Sequence, residues 1–126
     1  MYFQELKRLR EANPKLSDAI TRLDEYLASL TGNARSNITV STVSAAIGQP
    51  RDQVLGLLMA ASELGVLKLR YRVLCPDGHG VQVFDRLEDV PTTIYCGACD
   101  ETRPVTPDDV EYFFELTEKA ASVGRA

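Results

Sequence analysis

The stretch "NITVSTVSAAIGQPRDQVLGLLMAASELGVLKLRYRVL", residues 37–74, determines the fold that we expect for the centre of this chain. A short extended piece around Ile38 leads to a helix over residues 41–47, which a small hydroxyl residue caps. The tripeptide GQP at 48–50 then turns the chain. A longer helix follows over residues 51–64 and ends at Gly65. The segment therefore predicts two helices joined by a tight turn.

Two further segments have the alternation of half-buried strands. "VLKLRYRVL", residues 66–74, alternates apolar side chains with Lys68, Arg70 and Arg72. "DVEYFFELTE" near the end places Val110, Tyr112, Phe114 and Leu116 on one face and mostly acidic residues on the other. A helix is the alternative for the second segment. We expect a strand over 110–117, paired antiparallel with 66–74, because its Glu111 and Glu115 would then oppose the basic face.

The order of short helix, turn, longer helix, "LGVL" junction and basic strand resembles the winged helix-turn-helix superfamily over roughly residues 15–74. The resemblance implies an α+β fold, with N-terminal helices, a winged helix-turn-helix core and a β-hairpin wing. It implies no particular activity.

The first third of the chain predicts two helices separated at Asn13-Pro14. Asn13 would cap the second helix, and Gly32 would end it. Five apolar residues of the second helix recur at spacings of three and four, and they form one narrow stripe. We expect the stripe to pack inside its own domain; a homodimer seam is the alternative. The stripe consists of Leu16, Ile20, Leu23, Leu27 and Leu30.

The three cysteines and the single histidine of the chain form two short clusters, Cys75 with His79 in "CPDGH" and Cys96 with Cys99 in "CGAC". Tetrahedral zinc prefers thiolate and imidazole ligands presented by two tight turns that a loop separates. Pro76 and Gly78 would bend the first turn. Each cluster resembles a zinc-ribbon knuckle, although the first has the spacing C-x3-H in place of C-x2-C.

Four protein ligands predict one structural Zn²⁺, because a catalytic zinc keeps a position open for water. Two other uses of these residues fit less well. A catalytic pair of a Cys nucleophile and a His would not require Cys96 and Cys99. A redox C-x-x-C motif normally opens a helix after a strand in a βαβ unit, and the sequence lacks that context. Buried thiols without a metal are the remaining alternative.

These segments predict three parts: an N-terminal helical segment (1–36), a winged helix (37–74 plus 110–118) and a zinc-ribbon-like insertion (75–109). The net charge of −4 is concentrated at the end, since residues 75–126 contain four Lys/Arg and eleven Asp/Glu. We interpret the acidic residues of the insertion as a solvated face, with an acidic docking surface as the alternative.

We expect the second helix of the helix-turn-helix to bind protein. Its predicted core side is Val54, Leu57, Leu58 and Ala61, and its outer side carries Asp52, Gly56, Met59, Ala60 and Glu63. A DNA-recognition helix would normally present Arg, Lys, Asn or Gln side chains on this outer side. The resulting hypothesis is a non-catalytic regulatory or adaptor module that contacts protein through Met59, Ala60 and Glu63.

A DNA-binding transcriptional regulator is the alternative hypothesis. Its candidate nucleic-acid contacts are Arg51, Gln53, Lys68, Arg70 and Arg72. No phosphate-binding loop, nucleophile elbow, dinucleotide fingerprint or H-E-x-x-H motif occurs, so we expect no enzyme. With 44% apolar residues among 126, but no apolar run of membrane-spanning length, the chain is expected to be cytoplasmic.

Overall fold

The computed structural model describes residues 1–75 and 77–121 and has a mixed α+β fold. The chain divides into a helical unit, Met1–Lys68 with the segment from Phe114 onward, and a strand unit, Leu69–Phe113. The principal helices are α1 (Gln4–Ala12), α2 (Ser17–Ser29), α3 (Val40–Ile47) and α4 (Arg51–Glu63), and a short α5 covers Glu118–Ala121. The strands are β1 (Leu67–Leu74), β2 (Gly80–Phe84), β3 (Thr93–Cys96), β4 (Glu101–Pro104) and β5 (Val110–Leu116). Among the described residues, no helix has the length and apolarity to cross a membrane.

A buried carboxylate of α2 hydrogen-bonds the backbone at the N-terminus of α1. Asp24 is 1% exposed, and its two oxygens accept the backbone N–H groups of Tyr2 (3.0 Å) and Phe3 (2.9 Å). Phe3 and Leu6 are themselves buried. A buried charge is tolerated when it is hydrogen-bonded, so Asp24 fixes the start of the chain against the core.

The apolar stripe of α2 packs within the helical unit, between α1 and α3. Leu16 is half-buried, and the other four members, Ile20, Leu23, Leu27 and Leu30, are buried. The predicted cap at Asn13 is wrong, because the Asn13 amide donates to the Leu9 carbonyl oxygen (2.9 Å) and so closes α1 instead. Pro14–Leu16 forms a 3-10 turn before α2 begins at Ser17.

The two helices predicted over residues 41–47 and 51–64 are present as α3 and α4, which contact each other. The Thr39 hydroxyl caps α3 by accepting the N–H of Thr42 (3.2 Å). Gly48 ends α3 with a φ of +69°, which glycine adopts at little cost. The predicted core side of α4 is buried: Val54, Leu57, Leu58 and Ala61.

β1 pairs with β2 on one side and with β5 on the other. The Thr117 N–H donates to the Val66 carbonyl oxygen (3.2 Å), and Glu111 contacts Arg72, so β1 and β5 run antiparallel. Phe114 and Ile38 exchange backbone hydrogen bonds of 2.7 and 2.9 Å, which joins the outer edge of β5 to the segment before α3. The predicted strand over 110–117 is confirmed.

The faces of β5 differ from the prediction at two aromatic residues. Tyr112, expected in the core, is 45% exposed, whereas Phe113, expected on the acidic face, is 3% exposed. The guanidinium carbon of Arg72 lies 4.4 Å from the centre of the Phe113 ring and covers it. Cation–π stacking therefore buries a residue that alternation alone assigned to solvent.

The basic face of β1 is paired with carboxylates. Arg72 Nη1 lies 2.9 Å from Glu111 Oε1, as the strand pairing predicted. Arg70 Nε lies 3.0 Å from Asp85 Oδ1, a residue that follows β2. The sequence analysis assigned no strand at residues 80–84, so it missed the second carboxylate partner.

Candidate metal centre

The first pair of candidate ligands lies in the turn between β1 and β2. Cys75 directly follows β1, and its N–H donates to the His79 carbonyl oxygen (2.9 Å). The Gly78 N–H donates to the Cys75 carbonyl oxygen (2.8 Å), and Gly78 has a φ of +87°. Pro76, predicted to help bend this turn, lies outside the described residues. The tight turn brings both side chains to one side.

The second pair lies on the hairpin of β3 and β4. Cys96 is the last residue of β3 and pairs with Glu101 of β4, so the four residues between them form the hairpin turn. Cys99 lies within this turn, and Asp100 after it has a φ of +52°. The left-handed conformation at Asp100 reverses the chain directly after Cys99.

The two turns bring four ligand atoms together. The donor atoms of Cys75, His79, Cys96 and Cys99 all lie within 4.8 Å of one another. The Sγ of Cys75 lies 3.1 Å from His79 Nδ1 and 3.6 Å from Cys99 Sγ, and Cys99 Sγ lies 3.5 Å from the same nitrogen. This cluster could hold a metal ion.

All three cysteines are free thiols. Burial raises the pKa of the Cys75 thiol, but hydrogen bonds from the His79 backbone and from Cys99 outweigh burial and lower the pKa to about 7. The hydrogen bond to Cys75 raises the pKa of Cys99 to about 12, and burial and Asp77 act in the same direction. Thiolate is the form that binds metals, and the lowered pKa favours this form at Cys75.

The cluster is buried on one side and open on the other. Cys75 and Cys96 are 6% and 3% exposed, and the lining of a small pocket beside them includes Val73, Ile94 and Val105 as well as Arg103 and Asp109. His79 is exposed, and Cys99 is half-exposed. The cluster therefore has packed side chains on one side and solvent on the other.

An exposed carboxylate, to which the sequence analysis gave no role, lies at the open side. Asp77 Oδ2 lies 3.4 Å from Cys99 Sγ and accepts a hydrogen bond from that thiol. Its position between the candidate ligands Cys75 and His79 was the feature of the sequence that could have identified it.

The candidate protein-contact residues lie on the outer side of α4. Met59 is 38% exposed, Glu63 is exposed and Ala60 is half-buried. Leu55 and Leu64, which the sequence analysis did not select, are 36% and 40% exposed. The four-residue spacing of Leu55 and Met59 was the signal that could have identified the wider surface.

The candidate nucleic-acid residues lie on two elements, α4 and β1. Arg51 is exposed at the start of α4, whereas the Gln53 amide donates to Gln49 Oε1 (3.0 Å). On β1, Lys68 is exposed, and Arg70 and Arg72 are half-buried.

Comparisons of the chain with protein-family models, with curated proteins and with solved structures give no match. Function is therefore inferred from the residues themselves.

Proposed function

We propose that the cluster of Cys75, His79, Cys96 and Cys99 binds one structural Zn²⁺. Tetrahedral zinc, with bonds of about 2.3 Å to sulfur and about 2.0 Å to nitrogen, places sulfurs about 3.8 Å apart and sulfur and nitrogen about 3.5 Å apart. The Cys75–Cys99 separation of 3.6 Å and the Cys99–His79 separation of 3.5 Å fit these edges. The 3.1 Å contact between Cys75 and His79 requires the exposed imidazole to move by a few tenths of an ångström.

Zinc would stabilise the strand unit, because few of its side chains are buried. Among the residues from 69 to 113 whose burial the structure describes, all but 76 and 81, those buried are Val73, Cys75, Cys96 and Phe113. Such a small core does not stabilise a fold alone, and a structural metal supplies the missing free energy. Four protein donors leave no position for a reacting water, so the proposed role is not catalytic.

The winged-helix interpretation is supported by the element order of the helical unit and by β1 and β5. α3 and α4 follow α2 as the two helices of the helix-turn-helix, and the antiparallel pair β1 and β5 corresponds to the wing. An isolated antiparallel bridge between Ile38 and Phe114 places a short extended segment beside β5. On this interpretation, α4 occupies the position of the helix that reads DNA in many such domains.

We propose that the chain is a non-catalytic adaptor or regulatory module that binds protein through the outer side of α4. The exposure of Leu55 and Met59 on this helix carries the proposal. Asp52 and Glu63 flank them and would repel phosphates. The complementary partner surface is apolar with a rim of Lys or Arg.

The arginine side chains of β1 support the same proposal. Arg70 and Arg72 are engaged by Asp85 and Glu111, and Arg72 also covers Phe113. Contact with DNA phosphates would require these pairs to open. The surrounding strand unit has nine Asp/Glu against four Lys/Arg, which disfavours a polyanion.

One observation favours the alternative of a DNA-binding regulator. Arg51 is exposed at the start of α4, where a reader helix contacts bases or phosphates. A DNA-binding module would use Arg51 as its principal contact.

The test captures partners of the tagged full-length chain from cells that produce it, after nuclease treatment. An adaptor retains a specific protein, and Met59→Glu abolishes that capture while the exposed-site control Leu87→Glu does not. A gel shift on the upstream DNA of its own gene is run in parallel at stated salt. A specific shift that Arg51→Ala abolishes, with no protein retained, would instead establish the DNA-binding function.

A further inference from the structure

The metal cluster has one side from which an ion can arrive. Cys75 and Cys96 are buried, so water reaches the cluster at exposed His79 and half-exposed Cys99. An incoming hydrated cation must exchange its waters for protein donors one at a time, and it meets these two residues first. The identity of the first protein donor therefore governs how fast the site fills.

Asp77 stands beside this open side. Its Oδ2 is 3.4 Å from Cys99 Sγ, and its carboxylate is exposed. In the metal-free chain it accepts the hydrogen bond of the Cys99 thiol. When a metal displaces the thiol proton, which passes to solvent, the carboxylate loses that hydrogen bond and its oxygen becomes available to the ion.

The cysteine that contacts Asp77 lies at the open side of the cluster. Cys99 is half-exposed, and its Sγ lies 3.4 Å from Asp77 Oδ2. Carboxylate oxygens bind zinc at about 2.0–2.2 Å. An ion held by the Asp77 carboxylate would therefore already lie beside the Cys99 sulfur.

We propose that Asp77 is the entry donor of the metal site: it binds the incoming divalent cation transiently and passes it to Cys99, and the same contact acts in reverse during release. This inference rests on the proposed zinc site. Cys99 loses one proton to solvent, the Asp77–metal bond breaks as the Cys99–metal bond forms, and no electron is transferred. The consequence is a metal that exchanges with solution through one defined side.

A transient donor has a kinetic signature that a permanent ligand lacks. Because it stabilises the state between free and fully bound metal, it accelerates uptake and release together and leaves the dissociation constant nearly unchanged. A permanent ligand instead slows release and tightens binding. The two roles are separable by measuring both rates.

The experiment uses the full chain, reduced and freed of metal, with Zn²⁺ as the probe. Stopped-flow records uptake against a zinc-sensitive dye, and release is followed after addition of EDTA. Asp77→Asn is compared with Asp108→Asn, which makes the same charge change at an exposed position of the same unit. We expect Asp77→Asn to slow both processes by roughly tenfold, the lower end of the range for electrostatic focusing, and Asp108→Asn to change neither.

Cobalt substitution provides an independent readout, because the visible spectrum of Co²⁺ reports its donor set and coordination number. The inference predicts the same four-coordinate spectrum for the natural chain and Asp77→Asn. Equal rates for Asp77→Asn and Asp108→Asn would overturn it. A changed cobalt spectrum, or slower uptake with faster release, would make Asp77 a permanent ligand and overturn it as well. Failure of the natural chain to bind either metal would refute the proposed zinc site itself.

Discussion

Cys75 Sγ lies 3.6 Å from Cys99 Sγ, although 24 positions separate the two residues in the chain. The contact joins the turn after β1 to the hairpin of β3 and β4. A separation of this length is too long for a disulfide and matches two thiolates on one tetrahedral ion.

Zinc affinity should fall as pH falls, and more steeply below neutrality. The pKa of Cys99 is raised to about 12, so binding displaces its proton at every working pH. The pKa of Cys75 is lowered to about 7, so its proton must be displaced as well once the pH drops below that value. Competition with a chelator from about pH 8 to about pH 6 should show a decrease of at least tenfold per pH unit. A pH-independent affinity would contradict thiolate ligation.

Asp24→Ala should destabilise the helical unit. It removes the acceptor of two N–H groups, the part-buried one of Tyr2 and the buried one of Phe3, and hydrogen bonds to a charged group contribute about 1.5–3 kcal/mol each. We expect a loss of about 2–4 kcal/mol in the free energy of unfolding, measured with denaturant. Glu25→Ala, at the exposed neighbouring position, should cost less than about 0.5 kcal/mol. Equal effects of the two variants would disprove the anchoring role of Asp24.

Arg72→Ala should destabilise the strand pairing more than Arg86→Ala. Arg72 pairs with Glu111 and covers Phe113, whereas the Arg86–Glu88 pair is largely exposed. Half-buried cation–π contact adds about 1 kcal/mol, whereas an exposed ion pair contributes about 0–1 kcal/mol. Hydrogen exchange at the amides of β5 should rise in Arg72→Ala alone. Equal exchange in both variants would show that the stacked arginine contributes nothing.

Leu23→Ala should lower stability without altering the sedimenting mass. Leu23 is fully buried within the helical unit, and truncating a buried leucine costs about 2–5 kcal/mol. The competing hypothesis makes the leucine stripe of α2 a homodimer seam. A natural chain that sediments as a dimer, and that Leu23→Glu converts to a folded monomer, would support that hypothesis instead.

The helices could be predicted because their signals are local. The 3.6-residue period identifies the buried side of α4, and Gly48 and Gly65 mark chain reversals. The strand β5 was also predicted from its sequence, although its burial departs from strict alternation at Tyr112 and Phe113. The ligand set was equally accessible, because Cys75, His79, Cys96 and Cys99 are the only residues of their types in the chain.

The features that the sequence analysis missed depend on partners distant in sequence. Asp24 resembles any surface acid until the N–H groups of Tyr2 and Phe3, more than twenty residues earlier, are found beside it. Phe113 is buried by Arg72 from another strand. The strands β2, β3 and β4 have only four or five residues each, too few for alternation to distinguish them from loops.

The central claim is that two turns of the strand unit are held together by one zinc ion. Mass spectrometry under native conditions, on chain purified without added metal, measures this most directly. We predict one zinc per chain, lost in Cys96→Ser, with exchange of the described amides from 75 to 109 accelerated and those of α2 and α4 unchanged. A metal-free chain whose strand unit is fully protected from exchange would contradict the claim.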